Sequence, residues 1–413
     1  MRALAAVVMM IGAVARAEPA SLGLAETLRR VADVGPDQAV VRAQLPIAAA
    51  DVRTARMFPN PTIGVNGGRS EPIVAGVLTL HLPILGQLSA RVRAAERALE
   101  QTRLETSLSL WRLRHDGRIA YYSAARADDE LAIARQVETL TRRVAEIAAT
   151  RYDAGAGSLL EKLQAQLVED RALQDVLDRQ TAARVARLEL ARIIGEPEGV
   201  LAPLADALAT VGATPPIDAL LAEAARVHPE LRALDAERFA AEARAHAARA
   251  DIRPVFNLDL GVELLDPSTC DPSINGEMGP RCVGPRGALS FDLPVFNWNG
   301  GPVARAQAEA HAATIKRDAA AQRIATQVHA AYESFTAATT RARFFDSRYV
   351  PGATQVEQMA REGFAAGRTG LLPLIEAQRS LLDSRLGQTE ARFAVQAARA
   401  DLEEASGVAL SAP

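Results

Sequence analysis

One pattern occurs twice in this chain, and it leaves few folds open. The stretch Arg151-Tyr-Asp-Ala-Gly-Ala-Gly-Ser-Leu-Leu-Glu-Lys-Leu-Gln-Ala-Gln166 returns as Gly363-Phe-Ala-Ala-Gly-Arg-Thr-Gly-Leu-Leu-Pro-Leu-Ile-Glu-Ala-Gln378. Tyr152 matches Phe364, Gly155 matches Gly367, Leu159-Leu160 match Leu371-Leu372, and Ala165-Gln166 match Ala377-Gln378, at an offset of 212 residues. Gly195 and Gly407 close the two copies at the same offset, while Pro83/Pro294 and Tyr121/Tyr332 stand 211 apart. Each copy interrupts a long Ala-rich helical pattern, about 87–150 and 302–362, and a second helix starts at once, 159–194 and 371–405. Some 60 residues of helix make a rod of roughly 90 Å. Alanine supplies much of the 49% hydrophobic content while aromatics are only 4%, which favours long, closely spaced helices over a thick core.

The remaining segments repeat as well. Ser21 to Met57 is helical by period, with a break between Asp33 and Asp37, and Pro59-Asn60-Pro61 ends it because proline cannot continue the ladder. Two alternating stretches follow, at about 61–69 and 74–85. In the second, Leu78, Leu80, Leu82 and Ile84 face one way and Thr79 and His81 the other. The later half has its own pair at about 254–264 and 287–296. There Phe256, Leu258, Leu260, Val262 and Leu264 alternate with Asn257, Asp259, Gly261 and Glu263, and Leu289, Phe291, Leu293 and Val295 alternate with Ser290, Asp292 and Pro294. The expected organisation is a signal segment (1–17), a first repeat (18–200), a Pro- and Ala-rich joint (201–216) and a second repeat (217–413). Each half reads helix, strand, strand, long helix, tip, helix.

Arg2, the apolar run Ala3 to Val14 and the Ala15-Arg16-Ala17 cleavage pattern predict export. No later stretch predicts a membrane-spanning helix, so any membrane insertion must use strands. A net charge of −3 with no block of like charge argues against nucleic acid as a partner. Cys270 and Cys282 flank a loop rich in Pro, Gly, Asp and Ser. A disulfide there fits an exported chain; zinc, for which no histidine is near, and two free thiols are the alternatives. No catalytic set is visible. The histidines (His81, His115, His228, His246, His311, His329) are scattered and none is paired at metal-ligand spacing, and no phosphate-binding loop or cofactor site is present.

Four strands of about 9 to 12 residues have the length of tilted bilayer-spanning strands. Four cannot close, and open edges are not tolerated in lipid. Small barrels begin at about eight strands, so copies must pool theirs, and three copies give twelve. The fold class is therefore mainly α with transmembrane β. As a homotrimer it forms a 12-stranded barrel continued by a long helical barrel, with Thr79, His81, Asn257, Asp259, Glu263 and Asp292 lining a wet lumen.

The tandem repeats, the strand ends Leu78-Thr-Leu-His-Leu-Pro83 and Leu289-Ser-Phe-Asp-Leu-Pro294, and the paired tips resemble the TolC-type outer-membrane factors. Pro59-Asn60-Pro61 and Leu293-Pro-Val-Phe-Asn-Trp-Asn-Gly-Gly301 are most similar to the CzcC-type heavy-metal efflux branch. The resemblance implies a passive exit duct, not an enzyme and without cofactors, seated in outer-membrane lipid with its helical barrel in the periplasm. It implies as partners a periplasmic adaptor and an inner-membrane pump of the resistance-nodulation-division type. By the same resemblance the adaptor docks on the tips: Tyr152, Gly155, Gly157, Ser158, Leu159 and Leu160, and Phe364, Gly367, Arg368, Thr369, Gly370, Leu371 and Leu372. The alternative at the tips is that the glycines serve the turn alone. Glu376 resembles a family position that rings the periplasmic mouth. Pro373 stands where another acid is usual, and Glu161 is its acidic equivalent in the first repeat. Heavy-metal cations are the cargo this branch implies. A drug-efflux or type I secretion duct is the alternative, and a periplasmic coiled-coil adaptor or scaffold is a reading of another class.

Overall fold

The computed structural model describes residues 21–67, 74–196, 201–205, 208, 215–265, 282–292, 296 and 298–410. The expected signal segment, Cys270, the Cys282 side chain, Leu293 to Val295 and half of the 201–216 joint lie outside the described residues.

Three short helices come first: α1 (Leu24–Asp33), α2 (Pro36–Arg42) and α3 (Gln44–Ala55). Pro36 opens α2, a position where its missing N–H costs nothing and its fixed φ suits the helix. A second break at Ala43 goes with Pro46 in the first turn of α3, which has no N–H to give to the Arg42 carbonyl. Strands β1 (Thr62–Gly67) and β2 (Val74–Leu82) lead into α4 (Gln87–Asp153), an unbroken helix of 67 residues, and α5 (Leu159–Ile194) returns beside it. The second half runs α6 (Ile217–Val227), α7 (Pro229–Ala250), β3 (Phe256–Leu265) and β4 (Cys282–Phe291). It continues as α8 (Gly300–Phe344), a π-turn (Phe345–Tyr349), α9 (Val350–Ala365) and α10 (Leu371–Ser406). The helix expected over 302–362 runs through without a gap, as α8 and α9 with the π-turn between them.

The strands form one antiparallel sheet in the order β1-β2-β3-β4. Register pairs Leu78 with Leu260, Leu80 with Leu258 and Leu82 with Phe256, so leucines stack on one face. Thr79 opposite Asp259 and His81 opposite Asn257 occupy the other. The polar face is bonded across strands: Thr79 Oγ1 donates to Asp259 Oδ1 at 2.5 Å, and His81 Nδ1 lies 2.8 Å from Asn257 Oδ1. On the apolar face Ile63 is 81% exposed, Val262 58% and Leu289 66%, and no helix among the described residues covers them. An apolar face left bare on one side of a sheet is costly in water and suited to lipid.

The fourth strand begins at Cys282, not at about 287, and ends at Phe291. Pro285 sits inside it opposite Val262. Asp292 N–H donates to the Val255 carbonyl, so by antiparallel alternation the Pro285 position directs no N–H toward β3 and the β3–β4 ladder loses no bond. The pairing with β3, which binds Phe256 to Phe291 and Leu265 to Cys282, overrides the poor strand composition of Val283-Gly-Pro-Arg-Gly287.

The helices meet through alanine, with Ala124, Ala240, Ala313 and Ala391 fully buried. The apolar cores are small and strung along the rods. One joins Leu22, Tyr121, Leu190 and Ile194; another joins Leu231, Ile324, Val328, Ala391 and Leu402; a third lies at the tips. Tyr121 is fully buried and donates from its hydroxyl to the Leu22 carbonyl at 3.0 Å. Its counterpart Tyr332 is only half-buried beside the second core.

Candidate functional site

At the first tip α4 ends at Asp153, Gly155 takes φ +73°, and Ser158 starts α5. Ser158 Oγ accepts from the Glu161 N–H at 3.2 Å while Glu161 Oε2 accepts from the Ser158 N–H at 3.3 Å. This reciprocal capping box satisfies two donors that a helix start leaves orphaned. Glu161 is thus part of the helix start, and its carboxylate is engaged there. The Ser-x-x-Glu spacing was the sequence signal for it.

The second tip is built on the same frame. Gly367 has φ +70°, and the Arg368 and Thr369 N–H groups donate to the Gly363 carbonyl at 2.9 and 3.2 Å. Gly370 is the N-cap of α10 and has no side chain to cap with. A left-handed residue ending a helix is cheapest as glycine, since a Cβ meets the following carbonyl.

The matched side chains do different things. Phe364 and Leu371 are 2% exposed and pack with Val144, Ala145, Ala148 and Leu374 between the hairpins. Arg151 sits over the Phe364 ring, 5.0 Å from its centroid. Tyr152 and Leu159, their counterparts, are exposed, as are Leu160 and Leu372. Lys162 stands 4.9 Å from the Tyr152 ring centroid and 3.6 Å from Asp153 Oδ1. One face of each tip therefore holds the protomer together, and the other leaves leucine, and at the first tip tyrosine, exposed. Above them a cleft of about 280 Å³ separates the hairpins, lined by Thr141, Val168, Ile375, Gln378 and Leu382 among others. Gln378 is buried there, and neither end of its amide has a partner among the described residues. Glu376 points outward on α10, exposed and without an ion pair among the described residues.

The histidines are dispersed. His81 belongs to the polar sheet face. His228 caps α7, its Nδ1 accepting from the Glu230 N–H at 3.2 Å, and burial pulls its pKa down. His115 is clamped between carboxylates. Its Nε2 lies 2.8 Å from Asp401 Oδ1 and 3.5 Å from Glu404 Oε2, and its Nδ1 3.2 Å from Asp116 Oδ1. The Asp401 hydrogen bond, against the opposing pull of burial, raises its pKa to about 9. Because the folded pKa exceeds the unfolded value, this stabilisation is complete below about 6.5 and is lost as pH rises through about 9. We expect the melting temperature to fall between pH 7 and 10 in the wild type and to fall less in His115→Gln. Thermal melts across that range check this, and parallel curves would show that the ring is not the titrating group.

No group of three or more His, Cys, Asp or Glu among the described residues is arranged to hold a metal ion. Among the described residues, no helix is long and apolar enough to cross a membrane.

Comparison with solved structures places this fold among outer-membrane channels. A crystal structure of CusC, reported for the conformational changes of folding and transmembrane channel formation, superposes with TM-score 0.74 at 17% identity. It covers 95% of this chain and 94% of that one. The outer membrane protein VceC from Vibrio cholerae superposes with TM-score 0.72 at 18% identity, covering 93% and 96%. Among curated relatives, the cobalt-zinc-cadmium resistance protein CzcC of Cupriavidus metallidurans is 24% identical over 349 residues, 82% of this chain and 80% of that protein. Residues 30–196 and 220–408 match the outer membrane efflux protein family, and the chain belongs to it. It is accordingly an outer-membrane efflux channel with a periplasmic helical domain, and a passive conduit rather than an enzyme.

Proposed function

We propose that three copies assemble into the exit duct of a tripartite efflux system that carries heavy-metal cations out of the cell. The observation that carries this reading is the pair of tips with exposed leucines, set on a chain related along most of its length to a cobalt-zinc-cadmium resistance protein. Trimerisation closes the sheet, whose β1 and β4 edges have no partner among the described residues. It also covers the exposed row Leu163, Leu167, Leu177 and Leu188 on α5. The tips then present six docking places to a periplasmic adaptor, and an inner-membrane pump of the resistance-nodulation-division type supplies the energy. Adaptor binding selects the open state of the mouth because it contacts the splayed tips better than the closed ones. In the closed state three Glu376 carboxylates would face one another, repel, and draw cations. A Cys270–Cys282 disulfide would staple the loop between β3 and β4 on the cell surface.

Cargo is tested by growth of a deletion strain on zinc, cobalt, cadmium and copper beside hydrophobic drugs and detergents. Sensitivity confined to the metals supports the proposal. Sensitivity confined to drugs overturns the metal assignment and leaves a drug duct, while an unchanged panel points to a secretion channel.

A further inference from the structure

The offset between the two repeats is not constant. It is 211 residues at Pro83/Pro294 and Tyr121/Tyr332, but 212 at Tyr152/Phe364 and at Gly195/Gly407. One extra residue has therefore entered the second repeat between Tyr332 and Phe364. The helix changes form inside that window, giving way to the π-turn at Phe345–Tyr349 before resuming as α9. Each residue added to an α-helix rotates everything beyond it by about 100°. A π-turn absorbs the residue and keeps the two tips in phase.

The same level is weakened again just below. Pro351 has no N–H to give to the ladder, and Gly352 follows it. The first repeat has Thr139 and Leu140 at the matched places, within the unbroken α4. The two hairpins, alike at their tips, differ here in backbone stiffness.

Across the turn, α10 holds it with contacts the first repeat lacks. Phe345 lies against Gly387, so closely that a Cβ there would stand 2.5 Å from the ring. Asp346 Oδ1 accepts from Gln388 Nε2 at 2.6 Å and from Arg392 Nε and Nη2 at 3.2 and 2.9 Å. Phe344 and Tyr349 stack with centroids 6.0 Å apart, and Phe345 meets Tyr349 edge-on at 5.4 Å. Where α10 has Gly387, Gln388 and Arg392, the matched positions of α5 are Asp175, Val176 and Gln180.

We infer that the π-turn is a hinge about which the second tip swings, latched by Asp346 on Arg392 and Gln388, while the first hairpin moves as a rigid rod. This goes beyond the proposed function and requires neither a particular cargo nor a docked adaptor. Hydrogen exchange on the purified full-length channel reads it directly. Amides of residues 345–352 should exchange about tenfold faster or more than those of 134–140 in the same molecule. Spin labels at Arg368→Cys and Asp153→Cys report the spread of distances across the assembly at each tip. Asp346→Ala should broaden the distribution at 368 and leave that at 153 unchanged. Pro351→Ala, which returns an N–H at constant length, should slow exchange at 345–352, and deletion of Ser347 should slow it further. Equal exchange in the two windows of the wild type overturns the hinge, as does equal broadening at both tips in Asp346→Ala. Loss of export in tip variants does not bear on it, so the hinge and the docking reading fail separately.

Discussion

Glu403→Ala should destabilise the protein by about 3–5 kcal/mol, the cost of leaving buried charge without its counter-ion. Glu403 is 4% exposed on α10 and lies 2.5 Å from Arg118 of α4 and 3.5 Å from Arg399 one turn away. Both arginines are themselves 8% exposed. Removing the carboxylate leaves the Arg118 guanidinium without its counter-ion in a low-dielectric site, while Arg399 keeps its hydrogen bond to the Leu410 carbonyl at 3.0 Å, and neither arginine can shed its proton at any working pH. Arg118 belongs to the long helix of the first repeat and Arg399 and Glu403 to the return helix of the second, so the lost contact spans the halves. Denaturant unfolding of the detergent-solubilised channel measures the loss. Glu403→Gln, which keeps shape and one acceptor, should lose less, and the Arg118→Met, Glu403→Met pair should recover part of the stability. A loss below about 1 kcal/mol in Glu403→Ala would mean that water screens the triad as it screens a surface pair.

That triad marks where sequence reading stopped. The strands, rods and tips were legible because each is written locally, as a period of two, a period of 3.6, or a glycine turn. Arg118, Arg399 and Glu403 carry no such mark, since any charge on an Ala-rich helix reads as solvated until another helix is laid across it. His115 is silent in the sequence for the same reason: its partner Asp401 is 286 residues away. The β4 boundary failed differently. Leu293-Pro-Val-Phe296 looks more like strand than Val283-Gly-Pro-Arg-Gly287, yet pairing with β3 decides the register. The π-turn was half legible. The change of offset from 211 to 212 is in the sequence, and the fold shows where the helix takes up the extra residue.

Placing a bulky residue at both Gly155 and Gly367, as in Gly155→Leu with Gly367→Leu, should abolish export while leaving assembled channels in the outer membrane. A Cβ built at either glycine meets nothing within 4 Å, so no contact inside the protomer is lost or crowded. The folded-state cost is the left-handed backbone alone, φ +73° and +70°, at roughly 1–2 kcal/mol per site. A domain stable by about 5–15 kcal/mol tolerates that. The cores that hold each tip, around Phe364, Leu371 and Leu374, lie on the opposite face and are untouched. What changes is the outer surface, where the new side chains stand among Leu159, Leu160 and Leu372, and the turn that sets the angle between helices. An adaptor that fits this surface closely loses its seat, and the pump loses its exit. Fractionation and heat-modifiable migration report assembly, and the metal growth panel reports export. Full resistance in the double variant would mean that the tips are turns and nothing more. Lost resistance together with lost assembly would trace the defect to folding, and then Leu160→Ala with Leu372→Ala, which leaves both glycines in place, decides the matter: exposed leucines that matter only to a partner should cost export and not assembly.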